Sequence, residues 1–426
     1  MFNHSMKKMQ IIHASYSDLS GGAARAAYRI HRCLLQAKIN SRMQVLSKIS
    51  DDSTVTGNSA KIGRITTEIR TGLGLLAKKT IKSCDPGRYS AGILPSNWVK
   101  SFQASDADVI NLHWVGAETL SISEIGQIRK PIVWTFHDMW AFCGAEHYTN
   151  DGLNARWRQG YRSHNRPQDE SGFDLNRWTW ERKRRNWKYP FHIVCPSKWL
   201  ADCVRNSALM PHFPVSVIPN PLDLDSFRPI EKTLARKLLN LPQQRSLILF
   251  GALGGTNDPR KGIDLLLQAI SFLETQQLKD IEIVIFGQSV PEQVPKLGFP
   301  LRYTGHLGDD ISLALLYSAA DVFVAPSRQD NLPNTVVEAI ACGTPTVAFK
   351  IGGMPDLIDH KVSGYLAQPY EVEDLATGIQ WVIEQQKESK SLSLAARRHA
   401  EYMFDPIRVA QQYVTVYKEA VNIQKN

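Results

Sequence analysis

At 426 residues, 43% apolar and 21% charged, the chain has the length of two or three ordinary domains and the balance of a soluble globular protein. Its net charge of +9 favours anionic partners (nucleoside diphosphates, anionic lipid headgroups, nucleic acid), and the lack of any nucleic-acid-binding motif sets the last aside. The six cysteines are scattered without a Cys-x-x-Cys pair, Met1–Gln10 is polar and basic, and no apolar run reaches the roughly 18–20 residues that span a bilayer, so a cytoplasmic protein is expected.

Short apolar runs alternate with helical patterns, the mark of parallel sheets with crossover helices. A first strand, Gln10–Ser15, leads through Ser20-Gly21-Gly22-Ala23-Ala24-Arg25 into a helix from about Ala23. Gly21 and Gly22 let backbone approach an anion at a helix start, although the full dinucleotide fingerprint is absent and NAD binding is not favoured. Further strands are expected at Asp108–Trp114, Ile132–Phe136 and Phe191–Pro196. "VWTFHDMWAF" puts His137 and Asp138 at the carboxyl end of a strand, where a histidine can meet the donor sugar or a developing charge; His113 in "NLHW" has a weaker version of that position.

Residues 151–190 interrupt the alternation with four of the ten tryptophans, ten Lys or Arg and five acids. Arg177–Lys188 reads as a basic helix carrying Trp180, Arg184 and Trp187. Two readings stay open: tryptophans packed beneath a solvated basic face, or contact with a membrane surface or an anionic lipid-linked acceptor.

"VIPNPLDLDSFRP", 217–229, suits a hinge. The expected plan is a first Rossmann-like domain over 1–219, a second over 220–405, and a helix at about Pro406–Ile423 folding back onto the first. The two doubly wound domains are expected to face each other across a cleft. Strands of the second are read at Leu247–Gly251, Ile281–Phe286, Asp321–Ala325 and Pro345–Phe349. Asp258-Pro259-Arg260-Lys261-Gly262 places a basic pair at the carboxyl edge of that sheet, where a point charge and a guanidinium fork neutralise a diphosphate. In Ser327–Ala339, Asn334 is expected to cap a helix ending before Gly343. Glu338, one turn in, suits two vicinal hydroxyls as on a ribose; Asp330 suits sugar hydroxyls; the amides around Asn331, Leu332, Asn334 and Thr335 suit phosphate. The nucleobase is expected near Gly287 and Tyr303–Leu307. Asp223-Leu224-Asp225 and the set Cys143, His147, His164 are declined as metal sites, and no metal or other cofactor is expected.

These motifs together, "GGAARAAYRIHRCL", "WTFHDMW", "VIPNPLDLDSFRP", "DPRKGIDLLLQA", "SRQDNLPNTVVEAIACGTPTVAF" and "GGMPDLI", resemble bacterial glycosyltransferase family 4. The resemblance implies a GT-B fold and a retaining, metal-independent hexosyltransferase. By it, Glu338 binds the nucleotide ribose, Asp330 the donor sugar, Arg260 and Lys261 the diphosphate, Gly21 and Gly22 form the donor-facing loop, and His137 is the active-site histidine. The implied partners are a UDP-, GDP- or dTDP-linked sugar and a lipid-linked or growing surface polysaccharide, met at the inner face of the membrane. Two departures stand out: Asp330 replaces the family's more usual glutamate, and the arginine often found near Ala252 or Leu253 is missing. They motivate an alternative, a nucleotide-sugar-binding partner subunit without catalysis; a sugar-nucleotide epimerase is a third reading.

Overall fold

The computed structural model describes residues 9–58, 65, 68–73, 80–82, 87–251, 258–276 and 280–423. Cys84, the start of the chain and the Ala252–Leu253 departure lie outside the described residues. The chain divides into two units, Met1–Asn220 with Pro406–Asn426, and Pro221–Asp405.

The first unit is built on strands β1 (Gln10–Ser17), β2 (Asn40–Ser47), β3 (Val55–Asn58), β4 (Val109–Leu112), β5 (Ile132–Thr135), β6 (His192–Cys195) and β7 (Val215–Val217). They pair in parallel in the order β3-β2-β1-β4-β5-β6-β7. The order reverses direction between β1 and β4, and ligands of such sheets bind beyond the strands' carboxyl ends at that point. Central strands such as Val109–Leu112 are buried throughout, as a sheet covered on both faces requires. Alternation sorts their side chains. Ile12, Ile110, Leu112 and Trp134 enter one core, whereas Ile11, Val109 and Val133 enter the other.

Helix α1 (Gly22–Gln36) and the C-terminal helix Pro406–Ile423 cover the second of those cores. The C-terminal helix turns Val409, Ala410, Tyr413, Val416, Tyr417 and Ala420 inward, a stripe of helical period. Its two tyrosine hydroxyls reach polar groups of the sheet: Tyr417 donates to Asn111 Oδ1 at 2.6 Å, and Tyr413 Oη lies 3.2 Å from Thr135 Oγ1.

The basic segment forms α2 (Leu175–Asn186). Trp157, Trp180 and Trp187 are buried in the core on the opposite side of the sheet, and Trp178 is the partly exposed member of the four. Lys183, one of the basic residues of this helix, is wholly buried. Its ammonium donates to the carbonyls of Trp140, Cys143 and Gly144 and sits 4.0 Å above the Trp140 ring. Burial lowers its pKa to about 7. Packing therefore accounts for three of the four tryptophans.

The second unit repeats the plan with β8 (Ser246–Gly251), β9 (Ile281–Phe286), β10 (Leu301–Gly305), β11 (Val322–Ala325), β12 (Thr346–Phe349) and β13 (Gly364–Ala367), all parallel, in the order β10-β9-β8-β11-β12-β13. Here the reversal falls between β8 and β11. Helix α3 (Ile263–Thr275) packs on one face of the sheet; α4 (Asp310–Ala319) and α5 (Asn334–Ala341) pack on the other.

Candidate active site

In the second unit a crevice opens beyond the carboxyl ends of β8 and β11, lined by Gly251, Lys261, Ser327, Asp330, Pro333 and Thr335 among others. The chain between β8 and α3 ends in a single 3-10 turn, Pro259–Lys261, whose Arg260 amide donates to the Asp258 side chain. Gly262 follows at φ +67, and a Cβ there would stand 2.0 Å from the Pro326 carbonyl oxygen. Only glycine lets this turn lie against the loop after β11. Two bonds fasten the two loops. The Arg328 amide donates to the Arg260 carbonyl at 2.7 Å, and the Arg328 side chain to the Pro259 carbonyl at 3.0 Å. Both Arg328 terminal nitrogens also grip the Asp264 carboxylate.

The join brings Lys261 and Asp330 together, with Nζ 2.6 Å from Oδ2. The aspartate is nearly enclosed and the lysine a quarter exposed, so the pair presents its ammonium to the crevice. Asp330 is held from behind: its carbonyl accepts from the Gly353 amide, and a Cβ on Gly352, at φ +51, would stand 2.0 Å from that carbonyl. The two glycines of "GGMPDLI" therefore serve to position Asp330. Arg260 turns to Asp258, 2.6 Å away, on the same turn as Lys261.

Helix α5 begins at Asn334, with Pro333 as its N-cap and no side-chain cap bond. The expected capping by Asn334 is thus corrected: proline already supplies the extended φ and ψ before the helix, so Asn334 is its first helical residue. At the other end Gly343 and Thr344 donate to the Ile340 and Ala339 carbonyls, the paired bonds of a Schellman stop, with Gly343 at φ +74. Thr335 lines the crevice at the positive end of the helix dipole. Asn331 and Leu332 are buried. Glu338 lies one turn farther along, buried, and accepts from the Tyr317 hydroxyl at 3.0 Å. The structure therefore brings Lys261, Asp330 and Thr335 to one crevice and places Glu338 behind them on α5 with Tyr317, a partner not foreseen from sequence. At the suggested base site, the Gly287 amide donates to the Gly305 carbonyl.

In the first unit the corresponding ends of β1, β4 and β5 carry the other candidates. Gly21 caps α1 at φ +91, and a Cβ there would meet nothing within 4 Å. Glycine is needed at position 21 for conformation, not for space. The preceding Asp18 fixes the loop by accepting the amides of Leu19, Ile49 and Ser50.

His137 is half-buried after β5 and lines a second crevice with His113, Trp114, Asp138 and His147. Its Nε2 lies 3.1 Å from His113 Nδ1, and His113 Nε2 lies 2.8 Å from His13 Nδ1 on β1. Burial pushes the His137 imidazole down to about 4, against the pull of Asp138, and holds His13 and His113 well below their ordinary 6.5. All three are neutral at pH 7.

Beside them Ser90 Oγ, His147 and Asp138 are linked in line, with Ser90 Oγ 2.8 Å from His147 Nε2 and His147 Nδ1 2.6 Å from Asp138 Oδ2. The connectivity is that of a hydrolytic triad. Ser90 Oγ, however, is buried and accepts the Ala117 amide at 2.9 Å, so the set braces the loop after β4 instead of offering a nucleophile. Asp138 also accepts from Trp114 Nε1 at 2.7 Å. Burial alone would raise its pKa, but His147 and these donors hold the carboxyl below its ordinary value.

Known proteins match along most of this architecture. Residues 20–226 match the model described as Glycosyltransferase Family 4, and residues 245–385 that of Glycosyl transferases group 1. A D-inositol 3-phosphate glycosyltransferase of Saccharomonospora viridis is 29% identical over 49% of this chain and 50% of its own length. The chain spans about half the length of the curated relatives it matches. Among solved structures, sucrose-phosphate synthase from Thermosynechococcus elongatus superposes with a TM-score of 0.65 at 17% identity, covering 96% of this chain and 98% of that one. Anabaena HepE in complex with UDP and glucose gives 0.63 at 17% identity, covering 96% and 99%. With two parallel-sheet Rossmann-like units, as in those GT-B neighbours, and with family models matching well over half its length, the chain belongs to glycosyltransferase family 4.

Proposed function

We propose that the protein is a retaining, metal-independent hexosyltransferase that takes its sugar from a nucleoside diphosphate sugar. The observation that carries this reading is the Lys261–Asp330 pair in the crevice at the β8–β11 switch point. An ammonium there offsets the diphosphate of the donor and, more strongly, the charge that collects on it as the glycosidic bond breaks. Arg260 adds a second cation on the same turn, so protein groups supply the charge that a metal would bring. Asp330 is proposed to take hydroxyls of the donor sugar, Glu338 the ribose, and Asn331, Leu332, Asn334 and Thr335 the phosphates through the start of α5. Gly21 and Gly22 allow close approach of the ligand in the first unit, and His137 acts on the sugar. The family assignment supports retention of anomeric configuration.

Two acceptors have support. The exposed Phe173 and Trp178, in edge-to-face contact with Arg182 stacked on the indole, favour a lipid-linked glycan met at a membrane surface. The relatives named D-inositol 3-phosphate glycosyltransferase favour a phosphorylated polyol. The test is incubation with UDP-, GDP- and dTDP-hexoses, with either inositol 3-phosphate or membrane extract, and NMR of the product's anomeric proton. Transfer with retained configuration, lost in Lys261→Ala, is expected. Unchanged turnover in Lys261→Ala sinks the mechanism. Nucleotide binding without transfer would instead mark a partner subunit, and acceptor-free isomerisation of the donor an epimerase.

A further inference from the structure

The three imidazoles His13, His113 and His137 form one hydrogen-bonded row from the interior of the first unit to its crevice. Neighbouring rings lie nearly parallel, at 21° and 27°, so each bond joins ring edges. A neutral imidazole has one N–H and one bare nitrogen, so the row can be polarised in only two ways. Either every ring carries its proton on Nδ1 and donates outward, or every ring carries it on Nε2 and donates inward.

The inner end decides between them. His13 Nε2 is wholly buried and, among the described residues, has no hydrogen-bond partner. Orphaned buried N–H groups are rarer in folded proteins than under-used acceptors. The bare nitrogen therefore belongs at His13 Nε2 and its proton on Nδ1. That proton points at His113 Nε2, so His113 must hold its own on Nδ1, which in turn points at His137 Nε2. A charged His113 would donate both ways and force an orphan N–H onto His13, so the same reasoning excludes it.

We propose that His13 and His113 are positioning residues that lock His137 as its Nδ1–H tautomer, so that this imidazole presents a hydrogen-bond donor, not a base, to an oxygen of its substrate. Burial, which holds all three rings neutral, agrees with this. The substrate half of the inference rests on the transferase reading; the tautomer half does not.

The tautomer half is read in the full-length protein with 15N-labelled histidine, by long-range proton–nitrogen NMR at pH 7.5 without ligand. All three rings are expected to show a protonated Nδ1 and a bare Nε2. A His137 signal protonated on Nε2, or on both nitrogens, overturns the proposal. For the substrate half, His113→Leu breaks the row, whereas His113→Gln offers an amide oxygen to His13 and an amide N–H to His137. In His113→Leu, kcat is expected to fall about tenfold with KM for the nucleotide sugar within about twofold, and His113→Gln to recover most of the loss, the size of one hydrogen bond. Full kcat in a folded His113→Leu overturns the positioning role. Should no nucleotide sugar be turned over by the wild type, the transferase reading fails while the ring signals still decide the tautomer. Should His113→Leu not fold, the wild-type spectrum alone remains decisive.

Discussion

Lys261 and Asp330 hold each other at 2.6 Å in a site that the aspartate scarcely leaves. Removing the lysine leaves a nearly enclosed carboxylate without its cation, in the crevice proposed for a diphosphate. Lys261→Ala is therefore expected to weaken nucleoside diphosphate binding by about 2–3 kcal/mol, roughly 30- to 150-fold, with calorimetry as the check. Asp330→Glu restores the family's usual length and is expected to keep binding within about threefold while changing which hexose is preferred, measured as kcat/KM across the donor panel. The buried His13, His31 and His113 and the half-buried His137 are imidazoles held below their ordinary 6.5, His31 and His137 at about 4, desolvation being the main cause in each. Between those values the unfolded chain binds protons that the folded one refuses. Stability is thus complete above pH 6.5 and falls as pH drops toward 4, by up to about 1.4 kcal/mol per pH unit for each ring. Urea melts from pH 7.5 to 5 should show the loss; a flat profile means the rings are charged in the fold.

At the level of elements, sequence and structure part in an instructive way. The loops that follow β8 and β11 were legible because glycine, proline and charged residues stand where strands give way to helices. Each such residue is explained within a few positions of itself. What was not legible depended on sheet register or helix packing. His13 meets His113 because β1 and β4 pair with His13 opposite Asn111, and no local pattern announces a contact across 100 residues. Tyr317 meets Glu338 across two helices, and Gly352 meets Asp330 across a crossover, for the same reason. The edge strands β3, β7, β10 and β13 were also missed, as was β2 inside β3; β2 mixes exposed polar with buried apolar positions and gives no continuous apolar run. Two glycines test this local logic. Gly21→Ala meets empty space and bears only its unusual φ, about 1–3 kcal/mol of backbone strain. Gly262→Ala bears a left-handed φ and drives a methyl into the Pro326 carbonyl, so its cost should exceed about 3 kcal/mol and part the two loops. Thermal melts should rank them so, with Gly262→Ala losing more stability than Gly21→Ala, and nucleotide titrations should show affinity lost in Gly262→Ala as the two loops part. Equal effects would mean the loops are not joined through Gly262.

On the scale of the whole chain, the two units differ in how they are assembled. The second, 221–405, is one continuous stretch with its own sheet and two cores of its own. The first is interrupted: 1–220 supplies the sheet, and residues 406–423, beyond the second unit, supply a helix that covers one face of it. Without that helix, Ile11, Val109, Val133 and Val194 of the sheet lose their cover, and Asn111 loses the Tyr417 hydroxyl. The helix brings two fully buried tyrosines, each costing about 3–5 kcal/mol when an aromatic is cut back to alanine. Their combined loss is comparable to the whole stability of an ordinary domain, about 5–15 kcal/mol. Residues 221–405 expressed alone should therefore fold, melt cooperatively and bind nucleoside diphosphates, since Lys261, Asp330 and Glu338 all lie within them. Residues 1–220 alone should be largely unfolded or aggregated, and adding 406–426 as a peptide or through a short linker should restore a cooperative melt. If 1–220 folds without the helix, its packing on the sheet is dispensable. If 221–405 folds but binds no nucleotide, the Lys261–Asp330 crevice is not sufficient for binding by itself.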